Sequence, residues 1–593
     1  MGVTLVTPDI VAGILYDILV VGAGVTGAIV AKELSETGKK VLIIEAGTSD
    51  SLTPVGFHRF VENFYRAVDK NSNSPYPSNP NALSPTDDTN GYFQEDGPLP
   101  ISGSYTRLVG GTTMHWEAKA LRMLPEDFES KTRYGIGLDW PIGYNDLEPY
   151  YRKAEYELGV SGDTDEQRAL GVPFPDGYVL PNYKIPPSYL DELVRRKIDG
   201  ATVQLGGTTI TLKLSTFPQA RNGEANPNFA PGPGAKPITA GGQCQGNANC
   251  VPICPIRAKY DAGRTLASIG SPQQVHLLPQ AVASKVEIDF ATKRVSAIQF
   301  KCYRDPNSPA HIVGLAKAKL FVLACNAVEN ARLMLASNLP SSSGLIGRNL
   351  MDHPFLLAWA LMPEAAGTMR GPLVTSGIGT FRKGDFRRKQ AAFAMDIHND
   401  GWGWSGTGAI DVLRDVVDNG RRYGDDLRKQ LISRISRQIL LAFMCEMPAE
   451  SQNRITVNPR YTDQLGNYRP VISFNIPDYC KRTIAYTRDL SRRIFSMIGA
   501  EDHTSYDRSD TAYFDYNGEG YWFRGGNHFS GTHIMGKSKA DSVVDAQLRS
   551  WDHPNLYLLG GGSIPAIGSA NITLSIAALS FRAAEQIMKD LHG

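Results

Sequence analysis

Three things are scarce in this sequence: long hydrophobic runs, an excess of one charge, and cysteine. No segment approaches eighteen uninterrupted apolar residues, so no membrane-spanning helix is predicted. Lysine and arginine total 61 against 60 for aspartate and glutamate, and the net charge of +1 argues against a nucleic-acid or other polyanionic partner. Seven cysteines in 593 residues are too few for a disulfide scaffold. The composition is that of an ordinary globular protein, and the length predicts two domains.

The first residues also lack the marks of an export signal. Residues 1–17 contain no basic segment followed by a proper apolar stretch. We therefore predict that the chain carries no export signal of its own. This leaves a cytoplasmic location open, and equally the export of the folded chain together with a signal-bearing partner.

Three of the cysteines stand close together. Cys244, Cys250 and Cys254 follow the spacing C-x5-C-x3-C, and Pro255 comes directly after the last one. Thiolates select zinc or iron–sulfur centres over hard cations, and a Cys-Pro end is typical of iron–sulfur ligand runs. A zinc ion would want a fourth ligand at short spacing, and no further Cys or His lies near. The pattern favours a cluster with three protein ligands; three reduced thiols, or one disulfide with a spare thiol, are the alternatives.

Residues 16–47 carry a nucleotide-binding pattern. An apolar strand at 18–21 runs into Gly22, Gly24 and Gly27, and a helical pattern leads to a second strand at 41–44 that ends at Glu45. The glycines permit a tight turn, the approach of a diphosphate and close helix packing, and the helix N-terminus favours the phosphates. Glu45 stands where an acidic side chain binds ribose hydroxyls. The pattern predicts a dinucleotide and does not separate NAD from FAD.

The C-terminal residues favour FAD. A strand at 556–559 runs into Gly560, Gly561 and Gly562, and a loop with Pro565 leads into a helix of small residues. The N-terminus of such a helix can point at a flavin ring, where its positive end stabilises negative charge on the reduced form.

Six segments, spread from end to end, resemble the glucose–methanol–choline (GMC) flavoprotein oxidoreductases. They are the N-terminal fingerprint, VGGTTMHW (109–116), VLACNAVENARLML (322–335), GRNLMDHP (347–354), NHFSGTHIMG (527–536) and NLYLLGGGSIPAIGSANITLSIAAL (555–579). The cysteine stretch, DWPIGYNDLEPYYRKAE (139–155) and GRNLMDHP are most similar to the bacterial FAD-dependent glucose, gluconate, sorbitol and fructose dehydrogenases. Residues 50–95 and 400–430 depart from these relatives.

The resemblance implies an α/β fold with two domains. Residues 1–355 and 520–593 are expected to form a Rossmann-like FAD-binding domain, with the cysteine loop at about 222–262. Residues 356–519 are expected to form a substrate domain of antiparallel sheet plus helices, which roofs the flavin.

The resemblance also assigns the site. It implies that His528 is the base that takes the hydroxyl proton, a role that suits histidine because its unperturbed pKa lies near working pH. Asn571 would hold the substrate oxygen, while His533, His353 and His553 are read as structural. His115 matches a histidine that is bonded covalently to FAD in some relatives, and non-covalent FAD stays open. The expected FAD contacts are Gly22, Gly24, Gly27, Glu45, Gly110, Gly111, His115, Gly562, Ser563 and Thr573.

The cysteines complete the implied function. In the similar dehydrogenases the three cysteines hold a 3Fe–4S cluster, so Cys244, Cys250 and Cys254 are the expected ligands here. Such a cluster divides the flavin's electron pair for one-electron acceptors. The sequence therefore predicts a sugar or polyol dehydrogenase, with glucose or a similar aldose favoured, a small signal-bearing chaperone-like subunit and a multihaem cytochrome c subunit. Contact with the periplasmic face of the inner membrane would come only through a partner. The rival interpretations are a pyranose-type oxidase using oxygen, a gluconate, sorbitol, fructose or glucoside dehydrogenase of the same family, and a redox-inactive structural subunit.

Overall fold

The computed structural model of the chain describes residues 2–68, 74–76, 92–230, 241–246, 250–403 and 410–592. Parts of the cysteine loop (231–240 and 247–249) and of the divergent stretches 50–95 and 400–430 lie outside these residues. No helix within the described ranges is both long enough and apolar enough to cross a membrane.

In chain order, the strands of the described residues are β1 (Thr4–Leu5), β2 (Leu15–Val21), β3 (Val41–Ile44), β4 (Gln94–Glu95), β5 (Val160–Ser161), β6 (Thr202–Leu205), β7 (Thr208–Thr211), β8 (Leu214–Thr216), β9 (Gln219–Ala220), β10 (Val275–Leu278), β11 (Ala281–Asp289), β12 (Arg294–Tyr303), β13 (His311–Leu323), β14 (Pro354–Leu361), β15 (Val374–Ile378), β16 (Phe393–His398), β17 (Gln438–Cys445), β18 (Arg454–Thr462), β19 (Tyr468–Ser473), β20 (Glu501–Asp502), β21 (Tyr513–Tyr516), β22 (Glu519–Trp522), β23 (Arg524–Gly525) and β24 (Leu556–Leu558).

The α-helices of the same residues are α1 (Pro8–Ala12), α2 (Val25–Ser35), α3 (Pro54–Arg66), α4 (Ser130–Tyr134), α5 (Tyr144–Leu158), α6 (Thr164–Ala169), α7 (Tyr189–Ile198), α8 (Ala262–Ala267), α9 (Ala327–Ala336), α10 (Ile410–Arg414), α11 (Gly424–Ile435), α12 (Asp478–Ile498) and α13 (Thr573–His592).

A parallel sheet forms the nucleotide-binding half of the molecule. Its strands run in the order β1-β10-β3-β2-β13, with β24 also paired to β13. β3 and the C-terminal half of β2 are buried, and helix α2 packs against both strands, which explains their continuous runs of Val, Ile and Leu. The helix α2 packs against α13 and α8, and α13 packs against α5. The predicted strand–turn–helix–strand unit at 16–47 is confirmed as β2, α2 and β3.

A second, antiparallel sheet forms the other half. Its order is β20-β14-β17-β16-β15-β8, with β23 paired to β14. The strands β14, β16 and β17 are almost wholly buried, and the long helix α12 packs on β14 and β17. The predicted α/β fold, with an antiparallel second sheet, is therefore confirmed. β8 comes before residue 356 and β23 after residue 519, so this sheet takes strands from both sides of the predicted domain boundary, which stays a prediction.

Candidate active site

A long cavity runs along the carboxyl ends of β2 and β3. Gly22 and Gly24 line it, together with the first residues of α2. The N-cap of α2 is Gly24, which has no side chain to cap the free N–H groups of the first turn. A Cβ added to Gly24 would meet nothing within 4 Å, so the space beside this helix end is open. A helix N-terminus facing such a space is a place for a phosphate.

The third fingerprint glycine has another task. A Cβ on Gly27 would lie against the carbonyl oxygen of Gly22, so Gly27 lets α2 pack closely on the turn and does not line the cavity. Gly22 itself has φ +104°, a conformation that favours glycine. The three glycines thus divide into one that forms the turn, one that leaves room for a ligand and one that permits packing.

Glu45 fixes the shape of the fingerprint loop from the end of β3. Its Oε2 accepts the N–H of Ala23 at 2.8 Å, and its Oε1 accepts the N–H of Gly47 at 2.8 Å. Burial raises the pKa of Glu45, although these hydrogen bonds act in the opposite direction. The carboxylate lines the cavity where the sequence places a ribose ligand.

Two more segments reach the cavity. Gly110 and Gly111 line it with φ of +101° and +54°. From the C-terminal part of the chain, Gly560 and Gly561 line the cavity, as does Thr573 at the start of α13. The other two expected FAD contacts there lie deeper: Gly562 packs against His533, and the Ser563 hydroxyl donates to the carbonyl of Gly560 at 2.8 Å.

A charged network that sequence reasoning missed also lines this cavity. Arg107 and Arg332 both pair with the carboxylate of Glu329, at 3.2 and 2.7 Å. Burial would raise the pKa of Glu329, but the two arginines outweigh it and lower the pKa to about 2. One guanidinium nitrogen of Arg107 has no hydrogen-bond partner within the described part of the chain. Glu329 and Arg332 lie three residues apart in helix α9, whose remaining residues apart from Asn330 are apolar, and this opposite-charge pair is the signal that was available.

A second cavity opens beside the first. The two share the lining residues Thr112, Trp116, Asn527, His528 and Thr573. α13 begins at this junction, so its positive end faces the meeting point. Apolar side chains from three distant segments complete the second cavity, namely Val251, Phe355 and Leu373.

His528 stands at the junction in a defined chain of hydrogen bonds. Its Nδ1 lies 3.0 Å from Nδ1 of His353, and Nε2 of His353 lies 3.0 Å from the carbonyl oxygen of Gly568. A carbonyl accepts only, so His353 must carry its proton on Nε2. Burial lowers the pKa of His353 to about 4, so its Nδ1 is bare and accepts the Nδ1–H of His528. His528 is left with an unprotonated Nε2, the nitrogen that a general base needs.

Asn571 lies against that nitrogen. Its amide Nδ2 is 3.3 Å from His528 Nε2, and among the described residues its Oδ1 has no hydrogen-bond partner. The structure brings His528 and Asn571 together, and their catalytic roles stay a prediction. The amide oxygen remains available to accept a hydrogen bond from a ligand.

The backbone of the histidine pair is held by one carboxylate. Asp352 accepts the N–H of His353 at 2.8 Å and the N–H of His528 at 2.7 Å, and burial raises its pKa to about 7. Burial, with His353 and Lys119 adding to it, lowers the pKa of His528 well below its usual range. One nitrogen or oxygen atom from each of Asp352, His353 and His528 lies close enough to the others to share a metal ion. These atoms, however, already form hydrogen bonds within the three residues.

The remaining histidines lie elsewhere. His533 is fully buried, its Nε2 lies 3.2 Å from the amide of Asn330, and it lines neither cavity. Both ring nitrogens of His553 face carbonyl oxygens, of Lys293 and Pro340. His353, which the sequence places among structural loop residues, is instead the partner of His528, and 175 positions of sequence separate the two.

His115 lines the second cavity. It follows a turn of 3-10 helix at Gly111–Met114 and is buried, and its Nε2 has no hydrogen-bond partner within the described residues. Burial, together with the charge of Lys259, lowers the pKa of His115 to about 3, so the ring is neutral at ordinary pH.

The three cysteines of the loop line a small cavity of their own. Cys244, Cys250 and Cys254 are free thiols, and the cations of Arg221 and Lys259 lie beside them. Arg221 donates to the sulfur of Cys250 at 3.0 Å, and Lys259 donates to the Cys250 carbonyl at 2.6 Å. Burial lowers the pKa of Lys259 to about 8. Burial raises the pKa of Cys244, although the charge of Arg221 acts in the opposite direction.

Comparison with known proteins gives one answer throughout. Two models of the GMC oxidoreductase family match residues 236–355 and 449–580. The fructose dehydrogenase large subunit of Gluconobacter japonicus is 32% identical, over 97% of this chain and 98% of its own length. Paromamine 6'-oxidase of Streptomyces fradiae is 25% identical, over 97% and 92%. A solved structure of Aspergillus oryzae formate oxidase, from work on FAD modification, superposes with a TM-score of 0.61 at 14% identity, over 98% of this chain and all of that one.

Proposed function

The chain belongs to the GMC oxidoreductase family, and we propose that it is an FAD-dependent dehydrogenase that oxidises a hydroxyl of a sugar or polyol, with glucose or a similar aldose favoured. Family membership implies FAD and the oxidation of CH–OH groups. The observation that carries the proposal is the hydrogen-bond chain from Gly568 through His353 to His528, which leaves an unprotonated nitrogen at the junction of two cavities.

The residues at the junction divide the work of alcohol oxidation. His528 Nε2 takes the proton of the substrate hydroxyl, and an N–H of the Asn571 amide, which lies beside that nitrogen, donates a hydrogen bond to the substrate oxygen. The apolar side chains of Val251, Phe355 and Leu373 limit the access of water, which strengthens these polar contacts. FAD, when bound, supplies the acceptor for the hydride that leaves the same carbon.

The long cavity fits FAD. The open helix end at Gly24 suits the diphosphate, Glu45 suits the ribose, and the unpartnered nitrogen of Arg107 suits a carbonyl or phosphate oxygen. The start of α13 at Thr573 suits the isoalloxazine, whose reduced form is anionic.

We propose further that His115 carries FAD covalently. The support is its neutral ring with an unpartnered buried nitrogen beside the cavity junction. Acid precipitation of the flavin-loaded protein tests this, and the yellow colour should stay in the pellet. If all of it remains in the supernatant, the bond does not exist. In His115→Ala the flavin should become extractable, while binding is retained.

The cysteine cavity fits an iron–sulfur cluster of the 3Fe–4S type. Thiolates on one zinc ion, each at about 2.3 Å, stand about 3.8 Å apart. The three sulfurs do not belong to any set of described ligand atoms that all lie within 4.8 Å of one another, so they suit a larger centre better. Arg221 and Lys259 offset the charge that three thiolates bring. A bound cluster would pass electrons onward one at a time.

Metal analysis decides the cluster proposal. Anaerobically purified protein should contain iron and acid-labile sulfide, with an electron paramagnetic resonance signal that Cys250→Ser loses. Flavin reduction by substrate should persist in that variant while electron delivery to a one-electron acceptor slows. Stoichiometric zinc, or neither iron nor sulfide, would end the proposal.

An onward electron route implies partners. One relative is named as a large subunit, which supports partner subunits here. We propose a small signal-bearing chaperone-like subunit and a multihaem cytochrome c, with location at the periplasmic face of the inner membrane through that assembly. Co-purification of the tagged chain with a haem protein tests this proposal, and isolation of the chain alone from the cytoplasm would contradict it.

The second candidate is an oxygen-using sugar oxidase, which the likeness to paromamine 6'-oxidase favours. Rapid mixing separates the candidates. The protein should be reduced anaerobically by a panel of neutral sugars and polyols, then reoxidised by oxygen or by a dye acceptor. A dehydrogenase reoxidises faster with the dye, and fast reoxidation by oxygen would favour the oxidase. Failure of every sugar and polyol to reduce the flavin would exclude both.

A further inference from the structure

Three titratable side chains form part of the second cavity. Glu117, Lys119 and His398 line it. Glu117 and Lys119 follow the flavin-side segment at 109–116, and His398 ends β16 of the antiparallel sheet. Polar groups at this depth are costly to bury unless they have partners or meet a polar ligand.

Lys119 and His398 of this wall already have acidic partners. Lys119 is buried and pairs with the carboxylate of Asp396. His398 Nδ1 lies 3.3 Å from Asp400 Oδ1. Asp396 and Asp400 come from β16 and the residues after it, so the substrate sheet itself supplies both partners.

Glu117 is different. Its side chain keeps a quarter of its surface exposed, and its one ion contact within the described residues is to His398 Nε2 at 3.8 Å, beyond hydrogen-bond distance. Its position is fixed through the backbone, because its carbonyl oxygen accepts a hydrogen bond from Arg221 at 2.5 Å. The backbone at Glu117 is therefore held in place, and the side chain that it carries lines the cavity.

An ionised carboxylate is a pure acceptor with room for several donors. The hydroxyls of a sugar or polyol are donors, and hydrogen bonds from them to a charged acceptor are stronger than neutral ones. A carboxylate on the substrate would instead face the carboxylate of Glu117, because Asp396 already pairs with Lys119 and Asp400 lies against His398 Nδ1. Like charges at such distances repel.

We infer that Glu117 binds hydroxyl groups of the substrate and makes the enzyme select neutral polyhydroxylated compounds over their acidic counterparts. This inference rests on the proposed function. Lys119 and His398, held by Asp396 and Asp400, set the shape and charge of the same wall.

The test compares two substrates that share a ring, glucose and glucuronate. Glu117→Gln keeps the size of the side chain and removes its charge. We expect kcat/KM for glucose to fall about 10- to 100-fold, mainly through KM, because a charged hydrogen bond is lost. The preference for glucose over glucuronate should shrink by at least tenfold. Glu129→Gln, at an exposed glutamate paired only with Arg133 among the described residues, is the matched control and should change neither value.

A second variant guards against a folding defect. Glu117→Asp keeps the charge on a shorter side chain, so it should raise KM and yet keep the preference against glucuronate. An unchanged preference in Glu117→Gln, or a fall in kcat alone, overturns the inference. If the wild-type flavin is reduced by no sugar or polyol, the proposed function fails and the inference with it. An active wild type with an unaltered Glu117→Gln preference overturns the inference alone.

Discussion

The nucleotide end and the substrate end of the site are built by different means. At the nucleotide end, glycines, main-chain N–H groups and one carboxylate do the work within thirty residues of sequence. At the substrate end, residues from seven segments meet, and the ring of His528 is oriented by His353, which is itself bonded to a carbonyl. The first end recognises a group common to many proteins, while the second must be specific, so only the second depends on the exact placement of side chains.

The strongest test of the substrate end is removal of its base. His528→Ala should slow flavin reduction by sugar about 100- to 10,000-fold, the usual contribution of general-base catalysis, with the flavin spectrum intact.

The wild-type pH profile is a second test of the same base. Because burial lowers the pKa of His528 well below 6.5, the ring stays neutral as pH falls through 6.5, and kcat/KM should decline only at lower pH. Rapid mixing at several pH values measures both.

His533→Ala is the comparison for that test, since His533 touches neither cavity. The His533→Ala variant should slow flavin reduction much less than His528→Ala does, provided that the circular dichroism spectrum shows a folded protein. A His528→Ala protein that reduces its flavin at near wild-type speed would place the base elsewhere.

The nucleotide end is tested by two glycines of one motif. Gly27→Ala should destabilise the fold by about 1–3 kcal/mol in free energy of unfolding, because the new methyl meets the Gly22 carbonyl. Gly24→Ala should leave the apoprotein stable and weaken FAD binding instead, because its methyl enters the open cavity. Thermal unfolding and FAD titration, in a His115→Ala background that excludes a covalent bond, separate the two effects. Equal loss of stability in both variants would contradict the division of tasks.

The smallest expected effect concerns the partner of the base. His353→Leu removes the acceptor for His528 Nδ1–H, so flavin reduction should slow about 3- to 10-fold, the worth of one neutral hydrogen bond. His353→Asn keeps an acceptor near the same place and should recover part of the rate. A merely structural role would predict lower thermal stability with an unchanged pH profile and no difference in rate between the two variants.

Much of the fold was predictable from local pattern. The strands at 18–21 and 41–44 lie within or match β2 and β3, and the C-terminal strand at 556–559 matches β24 to within one residue. These elements are buried in a parallel sheet, and burial on both faces leaves a plain apolar run in the sequence. The boundaries of the second sheet were harder to predict from the sequence, because its strand β8 begins 140 residues before its strand β14.

The sequence by itself determined the nucleotide fingerprint, the family and the close spacing of the three cysteines. Each of these can be recognised from short stretches of the chain. The tertiary structure alone decided the link between His353 and His528, the ion pair of Arg107 with Glu329, and the placement of Glu117 beside His398. Those contacts join segments far apart in sequence, and a side chain's protonation follows from its burial and its partners. A short sequence pattern shows neither a contact between distant segments nor the protonation state of a side chain.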